Sequence, residues 1–298
     1  MKRLFKWIGI VAGALIFLVL IGIIFIYHVS NGRIQKKHAV PPLDELTIST
    51  DSAVLARGQH LSIIANCVFC HDNDLGGQIN HDGSLGMIVG SNLTSGKGGI
   101  GAEFTNDDWV RSIRHGIKRD STSLLVMPSE VFVKLGISDL SALVSYIKNL
   151  PPVDRELPKT SVRLLGRALF ATGKASILVA EKTDHTYLST DVSTGDTLKY
   201  GQYLADIGGC RGCHGLNLSG GRVAGPPGTP VSSNLTSKGV ASWKEDQFIK
   251  TLRTGVRPNG KLIDKFMPWQ LAAQMTDEEL HMLWLYLKSV PARETGNK

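Results

Sequence analysis

Cysteine is scarce in this 298-residue chain: there are four, and all lie in two Cys-x-x-Cys-His runs at 67–71 and 210–214. No thiol remains for a disulfide, which excludes a disulfide-stapled scaffold. Methionine is also sparse, at six residues, so a methionine that recurs at a fixed place is informative. No stretch alternates convincingly as a strand, and no βαβ pattern frames the cysteine pairs. The 33 lysines and arginines are scattered rather than gathered into a stripe, which argues against nucleic acid as a partner. Signatures for flavin, quinone-type and nicotinamide cofactors are lacking. Formal charge is +7 and the pI about 9.2, values that suit an acidic partner surface or a membrane face.

Long apolar runs are absent except for one. Ile8 to Tyr27 holds no charge and follows Lys2, Arg3 and Lys6. As a helix rising about 1.5 Å per residue, it just crosses a hydrocarbon core of about 30 Å. A cleaved signal peptide has a shorter apolar core and a small-residue cleavage site, whereas "HVSNGRIQKK" follows here. Residues 1–30 are therefore expected to be an uncleaved anchor. The leading basic residues favour an inside amino terminus, although Arg33, Lys36 and Lys37 beyond the span weaken that signal.

The rest of the chain is written twice. "RGQHLSIIANCVFCH" (57–71) matches "YGQYLADIGGCRGCH" (200–214), and "SNLT" at 91–94 recurs at 233–236. "FTNDDWVRSIRHG" (104–116) matches "WKEDQFIKTLRTG" (243–255), and Met127-Pro128 matches Met267-Pro268. "LVSYIKNLPP" (143–152) matches "LWLYLKSVPA" (283–292). Such duplication predicts two homologous domains, 45–152 and 199–292, with 153–198 as linker. Each reads helix, glycine-rich loop, helix, Met-Pro loop, helix. Leu140, Leu143, Val144 and Ile147 form one apolar helical stripe, and Leu280, Leu283, Trp284 and Leu287 another. The glycine-rich segments 76–101 and 208–228 need something to wrap. Within the linker, "VRLLGRALF" reads as a short amphipathic helix.

Three chemistries compete for Cys-x-x-Cys-His. Structural zinc pairs two Cys-x-x-Cys elements about 15–20 residues apart, a spacing not met between Cys70 and Cys210. A dithiol redox pair belongs in a βαβ setting. Covalent haem remains. Thiols at i and i+3 face one side of a helical turn and form thioethers to the haem vinyl groups, and the next histidine reaches the iron. This assigns Cys67, Cys70 and His71 to one haem c and Cys210, Cys213 and His214 to another. Met127 and Met267 are the expected sixth ligands, because they alone among the methionines recur in matched places, each before a stiffening proline. Their rivals are Met87 and His115 in the first copy and Met275 in the second. His60, His81, His185 and His281 lack histidine counterparts and are expected to be solvated or structural. Asn92 and Asn234 could hydrogen-bond a propionate or pin their loops. Arg114 and Arg253 could neutralise propionates or lie on a solvated helix face. Trp109/Phe248 and Tyr146/Tyr286 are expected as aromatics against the porphyrin.

"SNLTSGKGGIGAEFTNDDWVRSIRHGI", the following "MP" and the closing "YIKNLPPV" resemble the cytochrome c subunits of bacterial membrane-bound alcohol, aldehyde and gluconate dehydrogenases. The likeness covers about residues 50–155 and 195–292. It implies an all-α fold of two tandem class I cytochrome c domains behind one transmembrane helix. It also implies an inner-membrane location with the haems in the periplasm. Those subunits typically carry three haem domains, against two here. The expected function is a dihaem electron relay rather than an enzyme. It would receive electrons from a membrane-bound dehydrogenase and pass them to a quinone pool, a soluble cytochrome or a terminal oxidase. A dihaem subunit of a terminal oxidase and a dihaem peroxidase are the alternatives; a haem-based sensor lacks a signalling domain.

Overall fold

The structure is a computed structural model that describes residues 2–223 and 228–296. It opens with a long helix, α1 (Lys2–Ile34), the one helix among the described residues long and apolar enough to cross a membrane. Its apolar side chains are exposed; Leu15 and Phe17 are both more than half accessible.

Two sets of elements then follow in the same order. The first has α2 (Ser52–Ile64), α3 (Cys67–His71), β1 (Gln78–Gly83), β2 (Gly86–Gly90), α4 (Asn106–His115), α5 (Ser129–Phe132) and α6 (Ile137–Lys148). Next come β3 (Ser161–Val162) and α7 (Leu164–Ala171). The second set has α8 (Thr197–Ile207), α9 (Cys210–His214), β4 (Gly221–Arg222), β5 (Val231–Ser232), α10 (Glu245–Thr254), α11 (Trp269–Ala272) and α12 (Asp277–Ser289).

Local chemistry sets the helix ends. Asp51 caps α2 by accepting from the amides of Ala53 and Val54, and Asp196 caps α8 by accepting from Lys199. Thr105 with Asp108 and Thr276 with Glu279 form capping boxes that start α4 and α12. Gly116 and Gly255, at φ 63° and 71°, end α4 and α10 in the left-handed conformation that favours glycine. Each half is built on one close crossing, α2 against α6 and α8 against α12. Gly58 and Gly201 allow it: a Cβ on either would lie 2.1 Å from a carbonyl oxygen, of Ala142 and Met282 respectively. Leu61, Leu140 and Leu143 in one half, and Leu204, Leu280 and Leu283 in the other, fill the cores beneath these crossings.

Two expectations need correction. Short strands are present: β1, β2 and β3 form an antiparallel sheet, and β4 pairs with β5. They are ladders of two to six residues with an irregular register between Ile79 and His81, too short and glycine-rich to alternate legibly. The expected linker is also partly a wrapper of the first half. Its residue Val162 pairs with β2, Val153 and Arg155 hold the 92–94 loop, and Asp191 accepts from Ser138 at the start of α6. The expected helix at 162–170 is α7, which packs on the end of α1. Part of the second glycine-rich segment, residues 224–227, lies outside the described residues.

The halves meet through a polar hub. Arg57 donates to Asp139 in its own half (2.8 and 2.9 Å) and to Glu279 (3.2 Å) and Tyr200 (2.9 Å) in the other. Tyr203 donates to Asp139 at 2.6 Å, and His60 Nε2 lies 2.7 Å from Glu279. In the repeat, Tyr203 occupies the place of His60 and Glu279 that of Asp139. The two contacts are therefore equivalents, like the two sides of a symmetric dimer interface. The halves also touch where Asn66 Nδ2 donates to the Gly208 carbonyl at 3.1 Å. Asn66 lies one residue, and Gly208 two, before its cysteine turn.

Candidate cofactor site

Both Cys-x-x-Cys-His segments are single helical turns, entered through a left-handed residue: Asn66 at φ 62° and Gly209 at φ 70°. They are left through a residue of positive φ but extended ψ, Asp72 at φ 67° and Gly215 at φ 79°. Each turn is tied down identically. The amides of Gly77 and Gly220 donate to the carbonyls of His71 and His214. The carbonyls of Cys70 and Cys213 accept from Asn80 Nδ2 (2.9 Å) and Ser232 Oγ (2.8 Å).

His71 Nδ1 lies 2.7 Å from the Ser91 carbonyl, and His214 Nδ1 lies 2.7 Å from the Ser233 carbonyl. A carbonyl can only accept, so in both rings Nδ1 carries the proton and Nε2 keeps its lone pair. Burial lowers the pKa of His71, keeping the ring neutral. It also pushes the Cys67 thiol up to about 12 and Cys210 up to about 11. A redox dithiol needs the opposite shift, toward thiolate.

One cavity of about 1330 Å3 is lined by both turns. Met127 and Met267 lie on its wall; Met87 and His115 do not. His115 is buried beside His185, Nδ1 to Nδ1 3.2 Å, away from the cysteines. Met275 is buried and does line the cavity, so the second half offers two sulfurs. Val126, just before Met127, is held at φ 72°, a strained value for a β-branched residue, so the approach to Met127 is tightly determined. Trp109 and Phe248 face the cavity as expected, whereas Tyr146 and Tyr286 do not line it. Tyr286 accepts from Arg211 instead.

The four residues considered for propionates all make other contacts, and Asn92 alone of them lines the cavity. Asn92 donates to Val153 O (2.7 Å) and accepts from the Thr94 amide and hydroxyl. Asn234 donates to Arg293 O (2.8 Å) and accepts from Thr236 in the same way. Both amides thus close their own loops. Arg114 is buried on Asp44, the Leu135 carbonyl and Ser189, and Arg253 holds the Ala273 carbonyl and Asp277. Neither lines the cavity; each ties α4 or α10 to the turn that follows Met-Pro. The matched cations on the wall are Lys118 and Arg257. Both lie two residues beyond the glycine that ends the helix, where the backbone folds back through Lys118 N to Thr122 O and Arg257 N to Lys261 O. Their alignment in "HGIK" and "TGVR" was the signal that could have found them.

A haem fits this wall. The lining is largely apolar and aromatic around the cysteine pairs, and the buried Trp109 Nε1–H on it has no protein partner, a donor suited to an acceptor-bearing group.

The family model for cytochrome c matches residues 198–291. This stretch is a cytochrome c domain. Most of the chain is homologous to cytochrome c subunits of dehydrogenases. It is 27% identical over 288 residues to the fructose dehydrogenase cytochrome subunit of Gluconobacter japonicus, covering 86% of this chain and 56% of that one. It is 25% identical over 282 residues to the cytochrome c subunit of the alcohol dehydrogenase (quinone) of Gluconacetobacter polyoxogenes, with 82% and 58% covered. A shorter match, 35% over 107 residues, links it to the gluconate 2-dehydrogenase cytochrome c subunit of Pantoea cypripedii, with 33% and 24% covered. The chain thus spans little more than half the length of the first two relatives.

Proposed function

We propose that this chain is a membrane-anchored dihaem cytochrome c that relays single electrons. Residues 45–152 and 199–292 are the two haem domains in this reading, and α1 anchors them in a bacterial inner membrane on the periplasmic side. The observation that carries it is the duplicated histidine geometry: two rings, each with Nδ1 fixed at 2.7 Å from a carbonyl, each directly after a paired-cysteine turn on one cavity. Haem supplies an iron that cycles between ferric and ferrous. The chain's residues do the rest. Cys67 and Cys70, and Cys210 and Cys213, hold the two groups covalently. His71 and His214 offer Nε2 to each iron. Met127 and Met267 would supply a thioether sulfur to each group, and Lys118 and Arg257 would balance propionate charge.

The electron donor we infer is a membrane-bound dehydrogenase subunit, since the homologous chains are cytochrome subunits of such enzymes. A quinone pool, a soluble cytochrome or a terminal oxidase is the acceptor. With His71, Met127, His214 and Met267 all engaged as ligands, the chain would carry electrons and transform no substrate of its own.

The test is the mass of the denatured protein. Two covalent haems are expected above the polypeptide mass. A gain of one haem, or haem extracted by acidic organic solvent, refutes the dihaem reading.

A further inference from the structure

Helix α7 has no counterpart in the duplicated pattern, and neither it nor the β1–β2 turn has a place in the haem sites. They are fastened to each other and to α1. The Arg163 amide donates to the Leu85 carbonyl at 3.1 Å, and its guanidinium to the Gly83 carbonyl at 2.7 Å. Arg167 donates to Ser30 (2.9 Å) and Asn31 (2.7 Å) and stacks 4.7 Å over the Tyr27 ring. Arg33 donates to the Phe170 carbonyl at 3.1 Å and lies 4.1 Å over the Phe170 ring.

These contacts give α7 a direction. Phe170, near its end, meets α1 at Arg33; Arg167, one turn earlier, meets it from Asn31 back to Tyr27. At about 1.5 Å per residue, that step descends α1 by up to about 9 Å, toward the apolar run that Tyr27 closes. The first turn of α7, and the hairpin tip bound to it, continue the descent. At that end three leucines stand exposed: Leu85 at 41%, Leu164 at 39% and Leu165 at 51%. A polar surface would be expected there if the end faced water. Tyr27 marks the level of an interfacial aromatic, and Arg163 and Arg167 bring positive charge to the depth of lipid phosphates.

We infer that Leu85, Leu164 and Leu165 form a second membrane contact, inserted into the headgroup–acyl boundary beside α1. The inference rests on reading α1 as a membrane span. It adds that the haem domains do not swing freely on a tether. They sit on the bilayer at a set height and tilt, because α7 is bound to α1 on one side and to the first half through β3 on the other.

The full-length holoprotein is placed in nanodiscs holding phosphatidylcholine and phosphatidylglycerol, with a trace of lipid that carries a photoreactive acyl chain. After irradiation, lipid adducts are mapped by peptide mass spectrometry. Adducts are expected on the 8–27 segment, and on the peptides bearing Leu85 and Leu164–Leu165 at several-fold the level on the peptide bearing Leu262, which is 73% exposed in the second half. Adducts on 8–27 with Leu85 and Leu164–Leu165 at the Leu262 level overturn the contact and leave the span standing. Absence of adducts on 8–27 overturns the span itself, and the contact with it.

Discussion

Covalent haem attachment was legible at single residues because its constraint is local: two sulfurs and a ring must share one turn. The cations on the cavity wall were not, because which of them reach it depends on where a helix ends in space. Arg114 and Arg253 each lie two residues before the terminal glycines Gly116 and Gly255 and turn into the protein; Lys118 and Arg257, two beyond, reach the cavity. Lys118→Gln and Arg257→Gln should each lower the potential of one haem, since an unbalanced propionate favours ferric iron. A shift of about 20–60 mV is expected, up to about one decade in a one-electron equilibrium. Arg114→Gln should leave the potentials in place and lower the melting temperature instead. Spectroelectrochemical titration beside thermal melts separates the two outcomes. The sulfur ligand of the second half is tested in the same way. Met267→Ala should remove one sulfur-to-iron absorption band, and Met275→Ala should keep it; the reverse result reassigns the ligand to Met275.

His115 carries a pH prediction at the same scale. Burial first, then repulsion from His185 and Arg114, lowers its pKa to about 4 from an ordinary value near 6.5. The unfolded chain therefore binds this proton more readily than the folded one between those values. His115 thus costs no stability above about pH 6.5, and the protein loses stability as pH falls from there toward about 4. His115→Gln should flatten that part of the melting-temperature profile. An unchanged slope assigns the acid sensitivity to other groups.

At the scale of elements, the repeat made the helices and their order readable. Apolar stripes at helical spacing and capping residues are written along the chain. The strands were not readable, because β3 to β5 are two-residue ladders whose register comes from loop closure rather than alternation. The crossings α2/α6 and α8/α12 rest on Gly58 and Gly201, matched positions whose importance shows only when the facing carbonyl is placed 2.1 Å from a Cβ. Backbone cannot yield as a flexible side chain can. Gly58→Ala and Gly201→Ala should each destabilise the protein by about 1–3 kcal/mol, the usual cost of overpacking. Gly32→Ala is the control, since a Cβ there meets nothing within 4 Å. Denaturant midpoints of the three variants test the argument. Equal midpoints would mean that the helices separate at little cost.

For the molecule as a whole, the sequence revealed two units but not that they face each other. Interface residues look like ordinary helix-surface polars until both copies are seen together. Arg57, Asp139, Tyr200, Tyr203, Glu279 and His60 come from four helices, and no spacing rule joins them. The Asn66–Gly208 hydrogen bond is a further contact between the halves, at the entry to the cysteine turns. Arg57 is central because it alone bonds both carboxylates. Its removal leaves Asp139 with Tyr203, Glu279 with His60, and one cationic link fewer across the interface. Hydrogen bonds to charged groups contribute about 1.5–3 kcal/mol, and partial exposure of Arg57 places the loss toward the lower end. That is comparable to the coupling that makes two domains unfold as one. Calorimetry of the intact protein should therefore show one main transition. Arg57→Gln should split it into two, with haem absorption unchanged in the folded state. In the same variant, electron exchange between the haems should slow and become heterogeneous as the halves sample several orientations. If Arg57→Gln melts in a single transition at a lower temperature with uniform exchange, the hub stabilises the fold without setting the geometry between the haems.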